Sequence, residues 1–334
     1  MANILITGAS GFIGGFLVEH GLNNGHTIFA AIRKSSNTKH LTDSRINLVE
    51  LNLGDKQSLK QSWNKIRQQF GKFNYVIHNA GATKVLDKVD FETVNYQYTK
   101  NLVESLYEAE MTPDKFIFIS SLAAFGPGDE NTFSPIKISA TPKPITSYGK
   151  SKLKAEQFLF QQNKIPFLIF RPTGVYGPRD TGFYQYFKLM NKHIEIYLGN
   201  REQIVTFIYI KDLVSLIFKS LPSAVKNRGY FVTDGNNYNI KQFASITKGV
   251  LLKKTIRIVV PFFLLKWAAI IWERFAILTN KATLFTTDKY REITQKNWAC
   301  DSSDTMTDFN FSPKYNLQLG VSETIKWYKE NRWL

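Results

Sequence analysis

The run "TGASGFIG" at residues 7–14 constrains the fold more than any other stretch. It sets Gly8, Gly11 and Gly14 at the spacing G-x-x-G-x-x-G, directly after the apolar run "NILIT" (3–7) and at the head of a helical pattern. A strand that turns sharply into a helix needs residues tolerant of unusual backbone angles. Such a turn lets backbone approach a phosphate closely, and the helix N-terminus behind it offers unpaired N–H groups and partial positive charge. An ordinary glycine turn is the plain alternative. The strand before and the helix after favour a dinucleotide pyrophosphate, held by Gly8, Ser10, Gly11, Phe12, Ile13 and Gly14.

Further apolar runs at 26–32, 46–53, 74–78, 115–120 and 166–171 alternate with stretches of helix length at 56–70, 91–109 and 148–163. This alternation predicts an α/β chain with a doubly wound, Rossmann-type parallel sheet. The sheet domain is expected over 1–175, with 204–235 returning to it through a β-like run at 204–210 and a helix near 211–221. Segments 176–203 and 236–334 read as a smaller, mostly helical lobe. The Pro-containing stretch 127–144 reads as a long loop.

The end of the second strand selects between two cofactors. An acid there would bind the ribose 2′-hydroxyl of NAD, and an arginine would pair with the 2′-phosphate of NADP. The strand ends "AAIRKSSN", with Arg33 and Lys34 and no acid. NADP(H) is therefore expected, with Ser35 or Ser36 able to donate and NAD(H) as the second option. A solvated basic turn is the alternative use of these residues.

"TSYGKSK" (146–152) sets Tyr148 four positions before Lys152. A free tyrosine has a pKa of about 10 and exchanges protons poorly at neutral pH. The two residues share a helix face, so the ammonium either favours the phenolate or merely shares that face.

Taken with four further motifs, the chain resembles the extended short-chain dehydrogenase/reductase family, which includes the NAD-dependent epimerases and dehydratases. The motifs run in family order: "TGASGFIG", "VIHNAG", "NYQYTKN", "FISSLAAFG", "YGKSK" and "RPTGVYGP". They cover residues 4 to about 235 closely and the remainder only in general pattern. The resemblance implies Tyr148 as general acid/base, Lys152 on the nicotinamide ribose and Ser121 on the substrate oxygen. It places Ser120 nearer the cofactor, along with Asn79, Ala80, Gly81, Pro172, Gly174 and Val175. Asn95 either supports the catalytic groups or only bonds backbone. Asn52, with Leu53 beside it, stands where many members have an aspartate near the adenine, and Phe125 stands where a tyrosine is frequent. The 176–203 and 236–334 lobe would bind substrate. Relatives that dimerise through two helices suggest a homodimer built on those near 91–109 and 148–163.

Substrate class follows from departures. Nucleotide-sugar relatives carry an asparagine before "VYGP" and an arginine before the "FxHVxD"-like segment; here Gly174, Ile204 and Val205 stand in those regions. These changes favour a hydrophobic alcohol or ketone, as in the dihydroflavonol-reductase-like and hydroxysteroid-dehydrogenase-like branches. Arg171, Arg179, Arg201 and Arg257 keep a nucleotide-sugar epimerase or dehydratase with tightly held NAD as the alternative. A non-catalytic cofactor sensor ranks third, because such sensors commonly lack the Tyr/Lys pair.

The 334 residues carry a net charge of +16, from 43 basic and 27 acidic side chains. The basic residues are dispersed, so no nucleic-acid partner is expected, and most of the charge has no assigned role. The five histidines lack metal-ligand spacing, so no metal is expected. One cysteine, Cys300, and a start "MANILITGAS" without a leader pattern suit a cytoplasmic protein. The segment 258–278, "IVVPFFLLKWAAIIWERFAIL", has no apolar run of spanning length. Lys266, Glu273 and Asn280 give it a narrow polar stripe. It is expected to be buried or to line an apolar pocket, with a membrane-surface helix as the second option.

Overall fold

The computed structural model describes residues 1–279, 283 and 285–334. In chain order the first half forms β1 (Asn3–Thr7), α1 (Phe12–Asn23), β2 (Thr27–Ile32), β3 (Asn47–Glu50), α2 (Lys56–Phe70), β4 (Tyr75–His78) and α3 (Val89–Glu92). A π-helical turn at Thr93–Gln97 leads into α4 (Tyr98–Glu108), followed by β5 (Lys115–Ile119), α5 (Ser147–Gln161) and β6 (Phe167–Pro172). Then come β7 (Gly174–Tyr176), α6 (Gly182–Asn191), β8 (Ile194–Leu198), β9 (Ile204–Val205), β10 (Phe207–Tyr209), α7 (Ile210–Ser220) and β11 (Arg228–Val232). The chain closes with β12 (Tyr238–Asn239), α8 (Ile240–Leu251), β13 (Ile256–Val260), α9 (Phe262–Thr279), α10 (Thr287–Ile293), α11 (Ser303–Asp308) and α12 (Leu317–Glu330).

The apolar runs become strands because a parallel sheet buries both of its faces. Seven strands pair in the order β11-β6-β5-β4-β1-β2-β3. The pairs from β3 across to β6 are all parallel. This is the doubly wound α/β sheet expected from the alternation. β1 lies between β2 and β4, so strand addition reverses direction there, and ligands of such sheets bind beyond the carboxyl ends of the strands at that reversal. Trp63, Phe116 and Phe118 are fully buried, and the Trp63 indole donates to Ser105 Oγ at 2.8 Å.

Two units emerge. The first holds 1–124, 147–171 and 214–230; the second holds 125–146, 172–213 and 231–334. The division differs from the boundaries expected at 175, 204 and 235. The 127–144 loop belongs to the second unit because residues 297–300 hold it. Gly128 N–H donates to Asn297 O and Ile136 N–H to Ala299 O, each at 2.9 Å. The buried Asn297 amide donates to Asp129 O (2.9 Å) and Ser134 O (3.0 Å), and its Oδ1 accepts from Ala299 N–H (2.9 Å). The 204–210 run does not return to the large sheet. It forms β9 and β10, which pair with β12 and β7, and the strand that joins the large sheet is β11.

Among the described residues, the second unit holds six helices, α6 and α8 to α12, and three two-stranded sheets, joined by long irregular segments. Its core is aromatic: Phe183, Phe207 and Phe243 meet one another with ring centroids 5.0–6.1 Å apart. The expectation of a buried α9 is overturned. Only Ala269 and Ala276 are buried in it, so the helix rests on a narrow small-residue stripe and turns its wider apolar face outward. Lys266 is exposed, Glu273 is half-buried and accepts from Thr287 N–H at 3.0 Å, and Asn280 lies outside the described residues. No described helix is long and apolar enough to cross a membrane.

The Asn297 side chain thus holds the long loop through two hydrogen bonds and braces its own segment through a third. Asn297→Ala should cost on the order of 3 kcal/mol, since it strands buried backbone groups. Urea unfolding measures that loss, and limited proteolysis should show new cleavage within 127–144. An unchanged midpoint would mean that the loop is held by other contacts.

Candidate active site

At the carboxyl end of β1 the three glycines meet steric demands that other residues cannot. Gly8 has φ +67°, and a Cβ there would lie 2.8 Å from Asn79 O and Ala80 N. A Cβ on Gly14 would lie 2.0 Å from Gly8 O. α1 starts at N-cap Gly11 without a side-chain cap and without an acid in its first turn. Its first N–H groups are therefore left for a ligand anion, which fits the pyrophosphate of a dinucleotide. Asn79 Nδ2 donates to Gly8 O at 3.4 Å, which joins the β4 end to the same turn.

Just past β2, Arg33 and Lys34 are exposed, and no acid stands beside them. Arg33 N–H donates to Ser36 Oγ, and Ser36 N–H returns a bond to Arg33 O, both at 2.9 Å. Asn52 uses its Oδ1 on Gly54 N–H (3.1 Å), and Leu53 O accepts from Asn101 Nδ2 (3.0 Å).

Lys152 is the centre of the arrangement. Its ammonium is buried, donates to Ile119 O at 2.9 Å and sits 4.8 Å from the centre of the Phe118 ring. Burial pulls its pKa down to about 8, opposed by the Glu156 carboxylate one turn further along α5. Glu156 is itself buried. It pairs with Arg171 from β6 at 2.9 Å and accepts the Ser120 hydroxyl. Ser120 therefore directs its hydroxyl to Glu156. Tyr148, Lys152 and Glu156 recur at every fourth position of α5 and so share one face. Tyr148 is half-buried, with the Phe91 ring edge-on at 5.9 Å.

Asn95, in the π-helical turn, bonds backbone and also a side chain of α5. Its Oδ1 accepts from Ala82 N–H (2.8 Å), and its Nδ2 donates to Ala82 O (3.1 Å) and Ser151 Oγ (3.0 Å). Ser151 in turn donates to Tyr148 O at 2.7 Å. A Cβ on Gly81 would lie 2.9 Å from Asn95 Oδ1 and 3.1 Å from Lys152 Nζ, so β4's loop closes over both. Ser121 accepts from Ala123 N–H at 3.2 Å and keeps its own proton for another acceptor.

A second chain of bonds runs beneath, which the sequence reading missed. Thr7 Oγ1 accepts from Ala80 N–H (3.1 Å) and bonds His78 Nδ1 (2.7 Å); His78 Nε2 bonds Thr99 Oγ1 (2.9 Å), which donates to Asn95 O (2.8 Å). Because Thr99 donates its only proton to Asn95, His78 must carry its proton on Nε2 and accept from Thr7 on Nδ1. Burial first, then the Lys152 charge, lowers its pKa to about 3. Nothing in "VIHNAG" signals this; His78 and Thr7 become legible only once β1 and β4 are known to be neighbours.

Pro172, Gly174 and Val175 belong to the second unit, where Gly174 N–H donates to Thr206 O at 3.2 Å and its Cα faces Phe207. Of the arginines held available for an anionic substrate, Arg171 is taken by Glu156. Arg201 and Arg257 lie over the Phe262 and Tyr197 rings at 4.7 Å and 4.5 Å.

The model of the NAD dependent epimerase/dehydratase family matches residues 4–240. The chain is 25% identical over 349 residues to a decarboxylating sterol-4-alpha-carboxylate 3-dehydrogenase of Dictyostelium discoideum, covering 97% of this chain and 100% of that one. It is 26% identical over 340 residues to a ceramide reductase of Caulobacter vibrioides, covering 99% and 96%. It is also 26% identical over 338 residues to a UDP-glucose 4-epimerase of Vibrio cholerae, covering 97% and 94%.

The buried imidazole sets an acid limit. Its folded pKa of about 3 lies below the unfolded 6.5, so the unfolded chain takes up this proton first as pH falls. Stability should drop by about 2 kcal/mol between pH 7 and 5 from His78 alone, at ~1.4 kcal/mol per pH unit below 6.5. Urea midpoints at the two pH values measure it, and His78→Gln should flatten the dependence. An equally steep loss in that variant would assign the acid limit to other groups.

Proposed function

The chain belongs to the NAD dependent epimerase/dehydratase family, and we propose that within it the protein moves hydride between NADP(H) and an apolar alcohol or ketone, with Tyr148 as general acid/base. The observation that carries this reading is the buried Lys152 ammonium, one turn after Tyr148 on the same face of α5. With its pKa at about 8 the ammonium still carries its charge at pH 7, and a cation beside a phenol favours the phenolate.

The nicotinamide, when bound, supplies the hydride donor or acceptor. Tyr148 gives a proton to the substrate oxygen in reduction and takes it in oxidation. Ser121 donates a hydrogen bond to that oxygen. Lys152 has committed one of its three N–H donors to Ile119 O, and the remaining ones hold ribose hydroxyls. Asn95 fixes the first turn of α5 through Ser151 and so sets where Tyr148 stands.

NADP(H) is favoured over NAD(H) by the exposed Arg33 and Lys34 at the end of β2, where no acid competes. The apolar substrate is supported by Gly174, Ile204 and Val205 in place of diphosphate ligands, by Arg171 being committed to Glu156, and by the sterol and ceramide relatives. The UDP-glucose 4-epimerase relative supports a second reading, an epimerase that retains NAD. α4 and α5, which expose Tyr107 and Phe160, are the faces we assign to a homodimer.

Denaturing the purified protein and identifying the released nucleotide separates the two readings. Near-stoichiometric NAD would overturn the reductase. Tyr148→Phe should lower kcat by roughly 100-fold or more with cofactor affinity nearly intact; full activity would remove Tyr148 from the chemistry. Arg33→Asp should weaken NADPH binding by roughly 10- to 100-fold and NADH binding far less. Equal effects in a fluorescence titration would remove Arg33 from the 2′-phosphate.

A further inference from the structure

α9 presents the most apolar exposed surface of the second unit. Leu264, Trp267, Ile271, Phe275 and Leu278 fall at helical spacings of three and four residues and so form one face. Trp267 is 62% exposed, Ile271 63%, Phe275 52% and Leu278 83%. Ile256 and Ile258 on the preceding β13 are exposed as well. Such a face is far larger than the single apolar side chains that ordinarily dot a surface.

The opposite face is fastened. Ala269 and Ala276 are buried, Glu273 accepts from Thr287 N–H, and the Phe262 ring packs against Gly199, where a Cβ would come within 2.2 Å of it. The helix is thus held in place with its large residues outward.

Charge identifies the occupant. Residues 251–279 carry five basic side chains, Lys253, Lys254, Arg257, Lys266 and Arg274, and one acid, Glu273. Lys254, Arg257, Lys266 and Arg274 are exposed, whereas the acid is the residue that faces α10. A partner must therefore offer an apolar interior under an anionic surface. A second copy of this chain would bring the same basic side chains up to this segment, whose single acid is turned to α10 and cannot pair with them. A nucleic acid would leave the tryptophan, isoleucine and phenylalanine without a partner. An anionic lipid bilayer meets both demands. The helix spans ~27 Å and lies short of a membrane crossing, so it would rest in the plane of the interface, with Trp267 at headgroup depth.

We propose that the Leu264–Trp267–Ile271–Phe275–Leu278 face of α9, with its flanking lysines and arginines, docks the protein on an anionic membrane surface. The surface is argued from the second unit alone and holds whichever substrate the protein turns over.

The test is co-sedimentation of the full chain with phosphatidylcholine vesicles and with vesicles that also contain phosphatidylglycerol. Wild-type protein should pellet with the anionic vesicles and be released by salt. The triple variant Trp267→Ser, Ile271→Ser, Phe275→Ser should bind at least ~10-fold more weakly, with its unfolding midpoint and nucleotide binding unchanged. Lys266→Gln with Arg274→Gln should weaken binding to anionic vesicles only. That pair leaves the apolar face whole and decides the matter if the triple variant is destabilised. Wild-type protein that stays in the supernatant overturns the proposal, as does equal binding by both variants. So does a wild-type dimer by sedimentation velocity that ignores vesicles and that the triple variant dissolves, because a second copy then covers the face.

Discussion

The candidate site depends on the burial of one ammonium. A lysine in the interior is costly unless its charge is met, and Lys152 is met on several sides. The Ile119 carbonyl accepts from it, the Phe118 ring lies beneath it, and Glu156 opposes the burial that would strip its proton. Glu156 is in turn tolerable only because Arg171 and Ser120 satisfy it. The result is a buried row of cation, anion and cation drawn from α5 and β6. It holds Lys152 at a pKa where it is still charged near neutrality and close enough to losing its proton to respond to its surroundings. The arrangement explains why Ser120, which the sequence places toward the cofactor, directs its hydroxyl to a carboxylate.

Around that charge the protein has removed competing ones. His78 lies between Thr7 and Thr99, and its neutral form is enforced both by burial and by the direction of the hydrogen bonds. A protonated imidazole there would repel Lys152. The same bonds carry order outward: Thr99 bonds Asn95 O, Asn95 clamps Ala82 and Ser151, and Ser151 bonds the carbonyl of Tyr148. The π-helical turn at Thr93–Gln97 is what lets Asn95 face both partners. Turns of this kind interrupt a helix at a cost and persist where the redirected residue is needed.

How much of this was legible in the sequence varies with the range of the interaction. The glycine turn, the six strands from 3 to 172 and the Tyr148–Lys152 spacing are local patterns, and the structure places them close to where they were read. The missed features are long-range. Glu156 sits one turn past Lys152 in plain view, but its meaning requires Arg171, and that pairing needs α5 to pack beside β6. The sequence shows 127–144 as a long loop but not what holds it, because Asn297 lies some 160 residues away in the chain. The run at 204–210 has strand composition, but composition does not say which strand it will pair with. β9 finds β12, and β11 takes the place beside β6.

α9 shows the same limit most clearly. An apolar helix with few charges is buried when layers exist on both sides of it, and composition alone cannot say whether they do. Here the second unit buries only Ala269 and Ala276 and holds Phe262 and Glu273 beside them, so most of the bulky residues are left outward and the basic ones with them. The helix and the strand before it therefore gather part of the +16 charge beside one apolar face, which the dispersed pattern of lysines and arginines does not reveal. The two proposals also bear on each other physically. An apolar alcohol or ketone partitions into lipid and is scarce in water, so an enzyme that samples the bilayer surface meets it at a far higher local concentration. A nucleotide-sugar is anionic and excluded from an anionic surface, and an enzyme docked there would gain nothing for such a substrate. Docking through the apolar face and its basic rim would thus raise the supply of one of the two substrate classes and leave that of the other unimproved.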